Sequence, residues 1–460
     1  MKYCSTFGLV LTLAVAFVTL SACDEEARDP KEGAITFLVG GEAPAAGTPM
    51  PKIANESHIS LSAESMPLVE AGNAFSLKLF ETLLENRASS ANLVLSPISI
   101  ETALGMNAVG LSDEAFDEYR SVLKLPATQS LATVAKFLQQ LNAVMCSAGE
   151  YACYFPSNSF WVSSKYQSHL IKSYPRQLFD FFGAPTATLD LSDPASYEAV
   201  NAWISRKTYG KIPHMLDPSH AKGQDPLAFL VNTAFFAAAW QWKTSEEQTQ
   251  AGKFTNGAGE EEPAMMMSIH NDTSIDYFAD DRFETLSVGL LASEEMREHG
   301  ETPFRMLLIL PKDRTLPLSE SLPTPEELRR FTTAGKRYAL DIRLPRLNAG
   351  IPTLDLTPEL MKLGLCKTLG VPLTELSRMF DPKFLAEQSG RQNSLYHQAT
   401  LQWDEKGVEG AAATVIGPVE PGVGDPLEPR SIAFDRPFFA SIVHPETGKI
   451  LFIAAINTLR

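Results

Sequence analysis

Two serines and a histidine raise the question of hydrolytic chemistry: Ser96 and Ser99, one helical turn apart, and His397, far along the chain. A serine and a histidine within hydrogen-bond reach, oriented by a carboxylate, make an acyl-transfer site. The local signatures of such chemistry are missing, because no GxSxG elbow, HExxH, CxxC or phosphate-binding glycine loop occurs in the 460 residues. The eight histidines include no pair at metal-ligand spacing, so neither metal nor cofactor is expected. Ser96 stands directly before Pro97, the usual arrangement of a helix cap with proline in the first turn. His397 sits in an apolar stretch, where histidine is ordinarily a hydrogen-bonded core residue. The expectation is a protein that is not an enzyme.

A different chemistry, that of the backbone, is written near the end of the chain. Residues 404–414 read DEKGVEGAAAT, a run of small residues without a large apolar anchor. Such a run cannot bury enough surface to order itself. Its neighbours LYHQATLQW and RSIAFDRPFFASIVH both read as strands. Small side chains also let a segment slip between existing strands, and inserted residues alternate faces. With Val408 inward, Gly410, Ala412, Thr414 and Ile416 follow it, while Glu409, Ala411, Ala413 and Val415 point out. From Glu405 to Gly417 the segment would span about 43 Å as a strand. The alternative is a low-complexity surface loop.

The elements that must position this segment are mixed. Residues 67–88 carry Leu68, Phe75, Leu79, Phe80, Leu83 and Leu84 at helical spacing. SPISIETALGMNAVGL and LATVAKFLQQLNAVM read as two further helices. FLVNTAFFA, RMLLILP, YALDIRLP and ILFIAAI are continuous apolar runs of strand length, suited to strands covered on both faces. Without strict alternation this pattern predicts an α+β domain around a large sheet. A composition of 44% hydrophobic and 20% charged residues is globular, and the net charge of −16 argues against nucleic-acid binding.

The first 22 residues read as an export signal, with Lys2 before an apolar run from Phe7 to Leu20. That run is shorter than the about 20 residues a spanning helix needs. Leu20-Ser21-Ala22-Cys23 resembles a bacterial lipobox, which makes Cys23 the lipidation site; an ordinary cleaved signal is the alternative. Acyl chains contribute about 0.8 kcal/mol per buried methylene, so two or three anchor stably. Residues 23–66 then read as the lipidated cysteine and a flexible tether, with at most a short strand at AITFLV. The expected place is the cell envelope, at the periplasmic face or the cell surface. Cys146 and Cys153 can close a disulfide there, worth about 2–3 kcal/mol on the chain-entropy model; two thiols beside a loop are the alternative. Cys366, in LMKLGLCKTLG, is expected to be buried and inert in a helix.

Seven blocks in order resemble those of the serpin family. They are NLVLSPISIETALGMNAVGL (92–111), SNSFWVSS (157–164), VNAWISRKTYGKIPHML (200–216), LVNTAFFAAAW (230–240), FRMLLILP (304–311), LYHQATLQWDEKGVEGAAAT (395–414) and FDRPFFASIVHPETGKILFIAAIN (434–457). The resemblance covers residues 67–460, implied to be one serpin domain. It implies three β-sheets, about eight to nine helices and an exposed reactive loop. Glu405, Gly407, Val408, Glu409, Gly410, Ala411, Ala412, Ala413 and Thr414 fall on the family's loop hinge. Ser96, Ser99, Asn232 and His397 fall on its shutter, a polar cluster under the central strands. Trp240, Arg346 and Glu405 fall on its breach, where the loop first enters, and Arg346 and Glu405 would pair there.

What the resemblance implies is a monomeric suicide inhibitor of serine, or alternatively cysteine, proteases. A protease cuts the loop, the cut loop inserts into the sheet, and the acyl-enzyme is trapped. The family's spacing from Glu405 places the scissile bond at Pro421-Gly422, and counting back from Phe434 places it near Pro426-Leu427. Neither Lys nor Arg lies between Lys406 and Arg430, so an elastase-like, subtilisin-like or Glu-preferring target fits better than a trypsin-like one. Val408 and Gly410 depart from the family's usual hinge residues, and Pro418 would cost a ladder hydrogen bond within a strand. Together with Pro421, Pro426 and Pro429 it keeps a second reading open, a non-inhibitory lipoprotein with the serpin fold.

Overall fold

The computed structural model describes residues 35–50, 59–148, 153–221, 226–242, 244–291, 302–349, 353–388, 395–408 and 427–460. Cys23, residues 409–414, Pro421 and Gly422 therefore lie outside the described residues.

Helix α1, Met66–Glu85, buries Leu68, Phe75, Leu79, Phe80 and Leu83 along one stripe. Helix α2, Pro97–Ala108, is buried at every position and runs through the interior. Ser112 caps α3, Asp113–Val122, and Ser130 caps α4, Leu131–Ser147, each by accepting a backbone N–H. Helix α5, Ser173–Phe182, stops at the left-handed Gly183, and α6, Pro194–Lys207, starts from an Asp193 cap. Three later helices cover Pro325–Thr333, Thr357–Lys362 and Pro382–Ala386. The last-but-one stops short of the expected run, because Gly364 turns the chain at φ +102. Cys366 is thereby outside the helix and half-buried rather than wholly buried.

Four strands form the first sheet in the order β1-β3-β2-β4. They are β1, Thr36–Val39, β2, Tyr154–Ser163, β3, Thr186–Leu189, and β4, Ala228–Phe236. Strand β1 lies within the segment read as a tether and pairs antiparallel with β3. Chain continues from β4 into β5, Ala238–Trp240, which belongs to an eleven-stranded sheet. That sheet also holds the apolar runs Phe304–Pro311 and Phe438–His444. Three short strands complete the site region: β6, Tyr396–His397, β7, Leu401–Trp403, and β8, Gly407–Val408. The apolar run Lys449–Ile456 is β9 and pairs with Phe438–His444. A further four-stranded sheet includes Ala339–Pro345. This is the expected α+β fold around a large sheet, with nine α-helices among the described residues.

The main core lies between α1, α2 and the long sheet. A second core lies under α6, where Tyr197, Val200, Trp203 and Ile204 cover Trp161, Leu189, Phe229 and Val231 on the first sheet. Cys146 and Cys153 are thiols, not the disulfide held open above. Cys146 closes the last turn of α4 and Cys153 leads into β2. Burial pushes both thiols up to about 12, so each behaves as a small, unreactive hydrophobe.

One charged pair sits wholly inside the main core. Lys449 Nζ, on β9, donates to Glu101 on α2, and the two side chains are 0% and 3% exposed. Ser76 Oγ of α1 donates to the same carboxylate at 3.1 Å. Gly72 makes room for it, since a Cβ there would lie 2.5 Å from Glu101 Oε2. Burial pulls the Lys449 pKa down and the Glu101 charge opposes that pull. Removing one partner strands a buried charge, whereas replacing both with apolar groups does not. Glu101→Ala is expected to cost about 3–5 kcal/mol in urea unfolding. Combining Glu101→Leu with Lys449→Met should recover most of that loss.

Candidate functional site

The site is a gap between two parallel strands that meet directly at one point. β4 and the segment after β6 touch through a single parallel bridge, Thr233 to Gln398. Above that bridge the strands separate and β8 sits between them. Gly407 and Val408 pair antiparallel with Ala239 and Ala238 of β5, and Val408 pairs with Trp403 of β7. Gly407 is thus strand-paired on one side and Val408 on both, and Val408 is fully buried.

A tight reversal at 404–407 delivers β8 into the gap. The Asp404 N–H donates to the Gly407 carbonyl at 3.1 Å, and the Lys406 N–H donates to Asp404 Oδ1 at 2.8 Å. Gly407 has φ +154, and a Cβ on it would lie 2.1 Å from the Ala238 carbonyl oxygen. Trp240 Nε1 donates to the Asp404 carbonyl at 2.7 Å, and Trp403 Nε1 donates to the Pro345 carbonyl at 2.8 Å. One indole therefore holds the turn directly, and the other ties the strand before it to Pro345.

Glu405 points into the protein rather than out. Arg346 meets it with Nη2 and Nε both at 2.8 Å from Oε1, and Thr249 Oγ1 also donates to it. The Glu405 side chain is 6% exposed and that of Arg346 37%. Burial acts to raise the Glu405 pKa, but the hydrogen bonds from Arg346 and Thr249 outweigh it and hold the carboxyl below its ordinary range.

The polar cluster lies lower in the gap. Ser96 is at the N-cap position of α2, yet its hydroxyl does not cap the helix. Its Oγ donates to the Leu451 carbonyl at 2.9 Å, and its N–H donates to His397 Nε2 at 3.2 Å. Ser99 Oγ donates to Asn232 Oδ1, and Asn232 Nδ2 donates to Asn158 Oδ1. Asn158 Nδ2 then donates to the Phe182 carbonyl at 3.0 Å. Ser96, Ser99, Asn232 and His397 are each no more than 2% exposed. No serine hydroxyl of this cluster reaches His397, so a nucleophile–base pair is not assembled. Asn158 and Thr249 escaped the sequence reading; an asparagine inside the otherwise buried SNSFWVSS strand was the available signal for the first.

Burial lowers the His397 pKa from 6.5 to about 3, so the ring is neutral and Nε2 is free to accept. A depressed basic group binds its proton in the unfolded chain first. Stability is therefore fully present above 6.5 and drains as the pH falls towards 3. One proton corresponds to about 1.4 kcal/mol per pH unit across that window. Urea titrations between pH 7 and 5 should show this slope, and His397→Gln should remove it. Arg346→Ala should cost about 1–3 kcal/mol at pH 7 by leaving Glu405 buried without its main partner. Because the folded Glu405 pKa lies below 4.5, that cost should shrink as acid protonates the carboxyl in both states.

The chain is similar to known proteins over most of its length. The family model described as serpin (serine protease inhibitor) matches residues 70–459. Glia-derived nexin of Mus musculus is 24% identical over 396 residues, covering 85% of this chain and 94% of its own. Antithrombin-III of Homo sapiens is 26% identical, covering 85% of this chain and 81% of its own. Among solved structures, the native state of tengpin, a thermophilic serpin, superposes with a TM-score of 0.70 at 18% identity, covering 89% of this chain and 98% of that one. Native protease nexin-1 with heparin gives 0.70 at 20% identity, covering 86% of this chain and 99% of that one. With its fold, its hinge strand and a family match spanning nearly the whole folded part, the chain belongs to the serpin family.

Proposed function

We propose that the chain inhibits serine proteases as a suicide substrate, by inserting its cut loop between β4 and the strand segments β6 and β7. The observation that supports this most strongly is an agreement of registers. β8 pairs with β5 on one side and β7 on the other. Continuing five residues along the loop brings Ala413 level with Thr233 through the first register and with Gln398 through the second. Those two residues are the ones now bridged directly to each other. One residue further, Thr414 comes level with Asn232 and His397 of the polar cluster. Two independent pairings thus converge on one slot, sized for one strand.

The side chains suit that slot. Ala412 shares the inward face with Val408 and comes level with Ala234 and Ala399, both 1% exposed. Insertion replaces one bridge with two ladders of backbone hydrogen bonds and buries further apolar area, which supplies the driving force. Trapping requires insertion to outrun deacylation. Pro421-Gly422 remains the proposed scissile bond, and the absence of basic residues in the loop favours elastase-like, subtilisin-like or Glu-preferring targets over trypsin-like ones. A lipid on Cys23 would hold this inhibitor in a bacterial envelope. The heparin named with the solved nexin is not carried over, because the chain is strongly acidic.

The test incubates the chain with elastase, subtilisin, a Glu-specific endopeptidase and trypsin, and looks for an SDS-stable complex. The expected result is such a complex with one of the first three, with the cut mapped by mass spectrometry. Ala412→Arg, which forces a long charged side chain into the slot, should lower complex yield at least about tenfold while leaving cutting intact. Cutting by every protease without a complex, and without a rise in melting temperature of the cut chain, would favour the non-inhibitory reading.

A further inference from the structure

We propose that residues 35–43 form a strap that holds α6 down over the insertion gap and so sets how fast the loop enters; this rests on the insertion reading given above. Strand β1 widens the first sheet at its outer edge, with Thr36 opposite Thr188 and Phe37 opposite Ala187. The Phe37 ring lies 6.1 Å from that of Trp161, and Ile35, Phe37 and Ala43 pack against the core under α6. A strand that only protected the sheet edge would end at Val39. Instead Gly40 and Gly41, at φ +64 and +118, turn the chain towards α6. There the Gly41 carbonyl accepts Trp203 Nε1 at 3.3 Å and the Glu42 carbonyl accepts Lys207 Nζ at 3.1 Å. The strap thus grips the C-terminal end of α6.

The opposite side of the gap is gripped too. Tyr396 of β6 packs against the same core under α6. Asn201 on α6 accepts from the Met215 and Leu216 N–H groups, and the Met215 carbonyl accepts Thr353 Oγ1 at 2.7 Å. α6 therefore spans the gap, tied to β1 beyond one bank and to the chain beside β6 on the other. A strand reaching Ala413 must part Thr233 from Gln398, two residues along β4 from Val231 in the core under this helix, drawing Phe229 and Val231 away from Tyr396. α6 has to shift for that to happen, and the strap opposes the shift. Contacts present in the starting state and absent at the barrier slow a transition in proportion to their strength.

The test compares insertion rates in the full chain. At protease excess, so that cutting is not limiting, the appearance of the heat-stable cut form is followed in time. Phe37→Ser and Gly41→Ala each loosen the strap and should speed insertion by about threefold or more. In a Cys366→Ser background, Thr36→Cys with Thr188→Cys fixes β1 to β3 on oxidation; this should slow insertion by a similar factor, and dithiothreitol should restore it. A merely structural role would lower the melting temperature of the loosened variants without giving the locked form the opposite, reversible effect. Equal rates in all forms, with insertion still seen in the parent, would overturn the strap alone. A parent chain that gains no heat stability on cutting would overturn the insertion reading and the strap with it.

Discussion

Everything distinctive about this molecule depends on two parallel strands that are joined by one bridge where a full ladder could run. An unfilled seam inside a sheet leaves backbone donors and acceptors short of their natural partners. Here β8 fills the top of the slot for two residues, and the buried polar cluster lies lower down beside it. The arrangement is satisfied but not maximal, because the same backbone would gain more from a third strand. That difference between a good solution and a better one is what the proposed function draws on.

The surrounding interactions make the lesser solution persist. Glu405 is clamped by Arg346 and Thr249, and the turn behind it by Trp240, so the hinge begins its course in a fixed direction. His397 is kept neutral by burial and accepts a backbone N–H, a role that needs no proton exchange when strands move. The Glu101–Lys449 pair fixes α2 against β9, the strand that also supplies the carbonyl for Ser96. Buried ion pairs are a poor source of net stability, but they penalise any displacement that separates them. α2 is thereby pinned to β9 beneath the strands of the gap.

Much of this was legible in the sequence, and the reasons differ by element. The stripe of α1 is local, so spacing reveals it; the caps of α3, α4 and α6 are local too, yet they went unread. The hinge was visible because small residues in such a run are unusual between strands. Other features resisted. α2 is buried on all sides, so its periodicity carries no information about which face meets the gap. Ser96 has the address of a cap, but its hydroxyl is drawn to Leu451 across 355 positions of sequence, a contact no local rule contains. Lys449 and Glu101 are 348 positions apart and look like ordinary surface charges. The segment at 36–39 was read as at most a short strand within a tether, because what it pairs with is an edge formed far downstream. The cysteine spacing suggested a ring, while the fold uses both thiols as packing.

The central claim concerns register, and a crystal structure of the chain cut within its loop tests it most directly. The account predicts a new strand continuous with β8, with Ala413 lying between Thr233 and Gln398 and Thr414 level with Asn232 and His397. A cut chain in which Thr233 and Gln398 still bridge each other, with β8 ending at Val408, would contradict it.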